Sequence, residues 1–527
     1  MSVAELRTSL GLPSVLTAAY SRWRAHIPAF ALLGLFAYFS LLVITRIFFT
    51  SPGYDDSYIG SVARNFAFGR GYATAYGETI AIFGPGITTG PAVVVPAAVL
   101  YRIFGNHYWV GNLVVPLIAL PLLAALLWVL YSRLKLSLWT SLVILVALIV
   151  FTNERTADGE VFRPAFLWAH MMGEIPAVLW MTLAAALACT ARSNPRLHLL
   201  AGACLALALY SKPQILTAVP GFCIVYAWQF VHDRRPVTLL AVAGGALAMA
   251  SVFELFRLQH LGSWHNYVQN TRETYDYYRY WSSVGGTDYS TLHALLDETN
   301  LTLGVIPLLL LVGVLVVAGF RRLPSGAIER ARLQLAVILL LAAAINFYWW
   351  WIENNTGFLR YLAPAIVSLA VGVPVLTTMS RTPLLRYAAL GVFGLLLAPQ
   401  LADIGQFTPM THTESRLNSL QNTAAYLNSV ESPAVSLWGC GWWANRDLHL
   451  VGDLRFYDCD DQASVAKHLR AGEQLLLVRS EYFNWENNPN FSALAQRCDT
   501  GTLFADGPFV VCDATPWLKA AAAVSGP

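Results

Sequence analysis

The sequence predicts a polytopic α-helical membrane protein of about eleven transmembrane helices, followed by a small extracytoplasmic α/β domain. Three observations predict it. Of 527 residues, 56% are hydrophobic and only 12% charged, against roughly 25% charged in an average soluble chain. Long apolar runs recur as far as residue 400, each of the kind that crosses or enters a bilayer. Beyond residue 401 the runs shorten to strand length, as in Ala434-Val435-Ser436-Leu437-Trp438, Gln474-Leu475-Leu476-Leu477-Val478 and Pro508-Phe509-Val510-Val511-Cys512, with an amphipathic helix at Ser415–Ser429. Two regions follow: a transmembrane domain over 1–400 and a water-soluble domain over 401–527.

The candidate spans are 27–49, 108–131, 137–152, 174–191, 197–211, 214–231, 237–256, 301–319, 333–351, 361–379 and 384–400. Pro91 to Phe104 is apolar but short and carries two prolines, so a re-entrant or interfacial helix is expected there. Polar and amphipathic residues with Arg7, Arg22 and Arg24 precede the first run. That pattern does not resemble a cleavable signal peptide; Val15–Ile27 reads as an interfacial helix leading into an uncleaved anchor.

Charge orients the spans. With the N-terminus cytoplasmic, the inner segments hold Arg7, Arg22, Arg24, Arg133, Lys135, Arg192, Arg196, Arg234, Arg235, Arg321, Arg322, Arg330, Arg332, Arg381 and Arg386, but only Glu5, Asp233 and Glu329 as acids. This is the positive-inside bias. The outer face then receives loops 50–107, 153–173 and 257–300 and everything after residue 401. Cysteines give a separate indication. Cys189, Cys204 and Cys223 lie in spans and read as small apolar packing residues. Cys440, Cys459, Cys498 and Cys512 all fall in the C-terminal segment, where two disulfides in an oxidising compartment are expected, with the pairing open. The expected location is a cytoplasmic membrane, with the N-terminus inside and the C-terminal domain outside.

The chemistry concentrates on the outer face. Asp55 and Asp56 stand at the mouth of the first span, where carboxylates are costly without a role. A helix cap is the plain alternative. Ile59, Val62, Ala63, Phe66 and Ala67 recur at helical spacing until Gly69-Arg70-Gly71, so the pair begins an amphipathic helix lying on the membrane surface. Loop 153–173 brings Asp158 and Glu160 to the same face, with His170 and Glu174 beside the next span. Such a set could hold a divalent cation, magnesium or manganese, on Asp56 and Asp158. Lys212 breaks the charge pattern at an outer helix end, and Arg360 with Tyr361 does so at another. Each is either a snorkelling cation or a phosphate ligand. Aromatic residues crowd loop 257–300, as Trp264, Tyr267, Tyr275, Tyr277, Tyr278, Tyr280 and Trp281, and suit either an interfacial belt or sugar stacking.

These segments together resemble a family. Asp55-Asp56 with Tyr58-Ile59 and Ala63-Arg64-Asn65, then Tyr101-Arg102-Ile103-Phe104-Gly105, Tyr210-Ser211-Lys212-Pro213 and Arg360-Tyr361-Leu362-Ala363-Pro364, resemble the GT-C superfamily of integral-membrane glycosyltransferases. The nearest in kind are the lipid A aminoarabinose transferases, the protein O-mannosyltransferases and the mycobacterial arabinofuranosyltransferases. The resemblance covers about residues 20–400. It implies a polyprenyl-phosphate sugar donor, a glycan, glycolipid or protein acceptor, the bilayer as surroundings and transfer with inversion; no nucleic-acid partner is expected. It further implies Asp55 as general base, with Asp56 orienting the acceptor, holding a metal or tuning its neighbour. Lys212 and Arg360, with Tyr361, would meet the leaving phosphate, and Asp158, Glu160, His170 and Glu174 would line the substrate site. A multi-span transporter or flippase for an envelope lipid or sugar is the competing class, disfavoured because the charges sit at helix ends and no inverted repeat is visible.

The orientation can be checked directly. A cysteine introduced at Ser429 should react with a membrane-impermeant thiol reagent from the outer side; labelling solely from the cytoplasm overturns the topology.

Overall fold

The structure is a computed structural model. It describes residues 14–49, 54–76, 79–151, 166–191, 193–233, 236–284, 326–352, 359–379, 411–439, 445–459, 461–480, 497–498 and 501–517. Most of these are helical, and the chain is a multi-pass membrane protein. Among the described residues five helices are long and apolar enough to cross a bilayer: His26–Phe48, Val110–Ser132, Pro213–Val231, Pro236–Leu261 and Ala327–Trp350.

The first helix, α1 (Ser14–Phe49), runs unbroken through the segment read as a separate interfacial helix. After it come α2 (Tyr54–Ala67), the hairpin β1 (Ala73–Tyr76) and β2 (Thr79–Ile82), and α3 (Pro91–Phe104). At 14 residues, α3 rises about 21 Å, too little for a hydrocarbon core of about 30 Å. The helices α4 (Val110–Ser132), α5 (Leu138–Phe151), α6 (Phe166–Ala169), α7 (Glu174–Thr190) and α8 (Pro195–Ser211) follow. A 3-10 turn, Pro213–Ala218, leads into α9 (Val219–Asp233), then α10 (Pro236–Leu261) and α11 (Trp264–Val284). The last described elements of this part are α12 (Ala327–Ile352), a 3-10 turn Leu359–Leu362 and α13 (Ala363–Thr377).

Runs 137–152, 174–191, 197–211 and 361–379 form shorter apolar helices, Leu138–Val150, Glu174–Thr190, Pro195–Ser211 and Ala363–Thr377. Runs 301–319 and 384–400 lie outside the described residues. Segment 257–300 requires correction. Its first part is not a loop: α10 continues to Leu261, Gly262 turns the chain at φ +74°, and α11 begins. The hydroxyl of Ser263 accepts the Asn266 N–H at 3.1 Å, a side-chain cap that starts the new helix. Aromatic density concealed this helix because α11 has no apolar run.

The core sits among α4, α7, α12 and α13, where Leu123, Leu126, Val178, Met181, Leu339 and Val371 are fully enclosed. Small residues bring α8 and α10 together. A Cβ on Gly202 would lie 2.0 Å from the Val242 carbonyl oxygen, and one on Gly245 would lie 1.9 Å from that of Leu199. Only glycine permits this spacing, which is how helices pack in lipid without a hydrophobic drive. Cys189 and Cys204 are buried as expected, whereas Cys223 is exposed on α9.

The C-terminal elements are α14 (Thr411–Val430), β3 (Val435–Gly439), α15 (Arg446–Gly452), β4 (Phe456–Asp458), α16 (Gln462–Arg470), β5 (Gln474–Arg479), β6 (Thr502–Asp506) and β7 (Phe509–Asp513). The strands form one sheet in the order β4-β3-β5-β7-β6. Strand β3 runs parallel to β4 and β5, and β7 is antiparallel to β5 and β6. Cys498 and Cys512 are joined by a disulfide beneath this sheet, and Cys459 is also disulfide-bonded; Cys440 lies outside the described residues.

Candidate functional site

Asp55 and Asp56 both fall in the first turn of α2. The side chain of Asp55 is outside the described set. Asp56 is 1% exposed, and a carboxylate so buried must be met by donors. Its Oδ1 accepts the Met171 N–H at 2.8 Å, and its Oδ2 pairs with His170 Nδ1. Asn112 Oδ1, from α4, shares the Met171 N–H at 3.2 Å. The approach of α2 to α4 depends on Gly111, where a Cβ would stand 3.0 Å from the Tyr101 hydroxyl and 3.5 Å from the Gly60 Cα.

The segment His170–Glu174 also builds a second cluster. The Met172 carbonyl accepts from Thr89 Oγ1 at 2.7 Å and from Lys212 Nζ at 2.9 Å, while Lys212 Nζ lies 2.9 Å from Glu174 Oε1. The Gly90 N–H donates to the Ser211 carbonyl at 3.0 Å. Two glycines make this junction possible. Gly173 takes φ +84°, and a Cβ on Gly90 would lie 2.0 Å from the Tyr210 carbonyl oxygen. Thus Thr88-Thr89-Gly90-Pro91, His170–Glu174 and Tyr210-Ser211-Lys212-Pro213 converge. Glu174 opens α7 and Lys212 closes α8, each at the end that the helix dipole favours for its charge. Lys212, read from the sequence as either a snorkelling cation or a phosphate ligand, is 5% exposed and ion-paired. Its nearest anion comes from another helix, a partner that sequence spacing does not reveal.

A cavity of about 130 Å³ adjoins this junction, lined by Tyr72, Phe83, Tyr210, Phe253, Arg257 and Asn270 among others. The Tyr72 and Phe83 rings stack with centroids 4.4 Å apart. Glu254 accepts the Tyr210 hydroxyl at 2.6 Å and the Tyr267 hydroxyl at 2.7 Å. Arg257 Nη2 donates to Asn270 Oδ1 at 2.6 Å, and Asn270 Nδ2 donates to the Phe83 carbonyl at 2.9 Å. Sequence reasoning missed Glu254, Arg257 and Asn270. Two polar residues within the last turns of an apolar helix were the available signal.

On its other side α2 meets the C-terminal sheet unit. Ser57 Oγ donates to Asp447 Oδ1 at 2.6 Å, and Arg416 Nη2 donates to Asp447 Oδ2 at 2.6 Å. Arg64, 1% exposed, donates from Nη1 to the carbonyls of His449 and Leu450 at 2.7 and 3.0 Å and pairs with Asp453 at 2.9 Å. Arg70 adds a bidentate contact to Asp453 at 2.7 and 3.0 Å, and the Arg446 guanidinium lies 4.4 Å from the centroid of the Tyr58 ring. His449 Nδ1 faces the Leu454 carbonyl and its Nε2 faces Arg64. Burial, then the Arg64 charge, push the imidazole pKa down to about 3. For Asp453, burial raises the carboxyl pKa, but the Arg70 hydrogen bond and the charges of Arg64 and Arg70 outweigh it and hold the group below its ordinary value.

Several expected residues do not join a described cluster. Arg360 lies in the 3-10 turn Leu359–Leu362 with its side chain outside the described set. Tyr361 packs against Trp349, with ring centroids 6.4 Å apart. Asp158 and Glu160 lie outside the described residues. Among the described residues no group of three or more His, Cys, Asp or Glu side chains could hold a metal ion. Both oxygens of Asp56 face protein partners, the Met171 N–H and His170 Nδ1.

No protein-family model matches the chain, and no curated protein matches it by sequence. Among solved structures it is similar to ArnT from Cupriavidus metallidurans bound to undecaprenyl phosphate, with TM-score 0.57, 13% identity, and coverage of 92% of this chain and 98% of that one. The apo state of the same protein gives TM-score 0.56 and 14% identity over 94% and 99%. The oligosaccharyltransferase of Archaeoglobus fulgidus in its apo form gives TM-score 0.48 and 11% identity over 86% and 70%. At these identities the likeness is one of fold. The chain shares the fold of ArnT over nearly its whole length, in keeping with the fold expected from the sequence resemblance.

Two predictions test the site's electrostatics. Lys212→Met strands Glu174 in a dry setting and should destabilise the detergent-solubilised protein by about 3–5 kcal/mol, whereas Lys212→Met with Glu174→Met recovers most of the loss; equal melting temperatures for the two variants would refute the pairing. For His449 the folded-state pKa of about 3 lies below the ordinary 6.5. Its contribution to docking is therefore complete above about 6.5 and is lost as pH falls toward 3, with Asp453 acting in the same direction. Protease cleavage near 446–454 should rise between pH 7 and pH 4.5 in the wild type, and this rise should be blunted in His449→Gln.

Proposed function

We propose that the chain, which shares the fold of a protein crystallised with undecaprenyl phosphate, transfers a sugar from a polyprenyl-phosphate carrier to a glycan, lipid or protein acceptor. The transfer takes place at the outer face of the cytoplasmic membrane and inverts the anomeric centre. Charge bias supports a cytoplasmic N-terminus, and the Cys498–Cys512 disulfide supports an oxidising compartment for the C-terminal unit.

One observation carries the reading. Asp56 is enclosed and clamped by His170 and the Met171 N–H, so it anchors the first turn of α2. The proton-accepting role then passes to its neighbour, Asp55. Asp55 takes the proton of the acceptor hydroxyl as its oxygen attacks the anomeric carbon, and the bond from that carbon to the phosphate oxygen breaks with the electron pair leaving on phosphate. Lys212, which donates to the Met172 carbonyl and is ion-paired with Glu174, is the first proposed phosphate ligand. Arg360 is the second proposed phosphate ligand, and Tyr361 borders it. The adjoining cavity suits one sugar ring: Tyr72 and Phe83 offer apolar faces, while Arg257, Asn270 and Glu254 offer polar edges. No step is routed through a metal ion.

The test uses purified protein in lipid with a panel of polyprenyl-phosphate sugars. Asp55→Asn and Asp55→Ala should each lower sugar transfer by about 10²–10⁴-fold. A loss smaller than about tenfold removes Asp55 as general base, and uptake of a labelled solute into vesicles independent of lipid-linked sugar would favour a transporter.

A further inference from the structure

The turn that carries Asp55 and Asp56 is held from two directions. On one side stands the His170–Met171 segment. On the other stands Asp447, a residue 390 positions away from Ser57 in sequence and contributed by α15 of the C-terminal unit. Ser57 follows Asp56 directly and is fully buried. Its hydroxyl donates to Asp447 Oδ1 at 2.6 Å, while Arg416 of α14 occupies Oδ2 at the same distance. Asp447 is 4% exposed, and each carboxylate oxygen meets one of these donors in a setting nearly free of water. Hydrogen bonds to an ionised, enclosed carboxylate are short and directional.

Two turns further along α2, Arg64 binds the carbonyls of His449 and Leu450 at the C-terminal end of α15. The helix dipole favours a cation at that end. Asp453 neutralises the buried guanidinium. Thus α15 grips α2 at Ser57, two residues after the proposed base, and again at Arg64 near the helix end. A membrane-surface helix exposed to water on this side would not need a buried serine, a buried arginine and a buried aspartate in register.

We infer that Asp447 is a positioning residue for the Asp55–Asp56 turn, and that the C-terminal α/β unit is a working part of the transfer site. The inference rests on the glycosyl-transfer reading above. Asp447 touches no substrate; it acts by restraining the backbone at Ser57. Loss of that restraint lets the base wander from the acceptor oxygen, a displacement that costs rate rather than affinity.

Full-length protein reconstituted in lipid is compared as wild type, Ser57→Ala, Asp447→Asn and Arg70→Ala. Ser57→Ala and Asp447→Asn should lower kcat by about ten- to hundredfold while KM for the polyprenyl-phosphate sugar stays within about twofold. Arg70→Ala removes a partly exposed contact of the same interface away from the first turn and should leave kcat within about twofold. Unchanged kcat in both Ser57→Ala and Asp447→Asn overturns the inference. So does a parallel change in kcat and KM with a lowered melting temperature, which marks general loss of structure. Hydrogen exchange over residues 54–65 supplies a readout independent of turnover: faster exchange in Ser57→Ala is expected, and unchanged exchange overturns the inference even if no donor sugar is turned over. Absence of wild-type transfer, or full activity of Asp55→Asn, counts instead against the proposed function.

Discussion

The junction between the membrane helices and the C-terminal unit of this protein hangs on one buried carboxylate. Asp56 lies in the first turn of α2 and is almost wholly enclosed, with one oxygen on a backbone N–H and the other on an imidazole. An ionised carboxylate deprived of water is tolerable only with such partners. The consequence is positional. By accepting the Met171 N–H, Asp56 ties α2 to the turn between α6 and α7, and the neighbouring acid inherits a fixed place.

That turn is a hub. Within His170–Glu174, one side chain and one N–H serve Asp56, a carbonyl serves Thr89 and Lys212, and a carboxylate pairs with Lys212. Gly173 supplies the left-handed backbone that lets successive groups point to different clusters. Four regions of the chain are bound together: α2, the strap at Thr89-Gly90, and the ends of α7 and α8. Replacing any charged member leaves its partner uncompensated, so the cluster behaves as a unit rather than as separable contacts.

The C-terminal unit adds the opposing grip. Its sheet is built around Trp438, Leu475, Leu477 and the Cys498–Cys512 bridge, and so forms a rigid platform for α15. Through Asp447 and the carbonyls of α15, this platform reaches the same helix that the transmembrane hub holds from the other side. A helix held between the membrane helices and a disulfide-linked sheet unit has little freedom.

The sequence by itself determined what local composition can encode. Apolar runs announced α4, α10 and α12, the positions Ile59, Val62, Ala63 and Phe66 announced α2, and short apolar runs announced β3, β5 and β7. The outer segments bearing Asp56, His170, Glu174 and Lys212 were likewise recognisable, because charge at the mouth of an apolar helix is expensive and therefore informative. Tertiary structure alone decided which of these charges meet. Lys212 read as either a snorkelling cation or a phosphate ligand, and its ion pair with Glu174 joins two helix ends. Asn112, hidden in an apolar run, shares the Met171 N–H with Asp56, and Ser57 finds Asp447 across 390 positions. Such pairings depend on how helices cross and where glycines allow close approach. Those are non-local packing outcomes to which hydrophobic periodicity and charge spacing are blind.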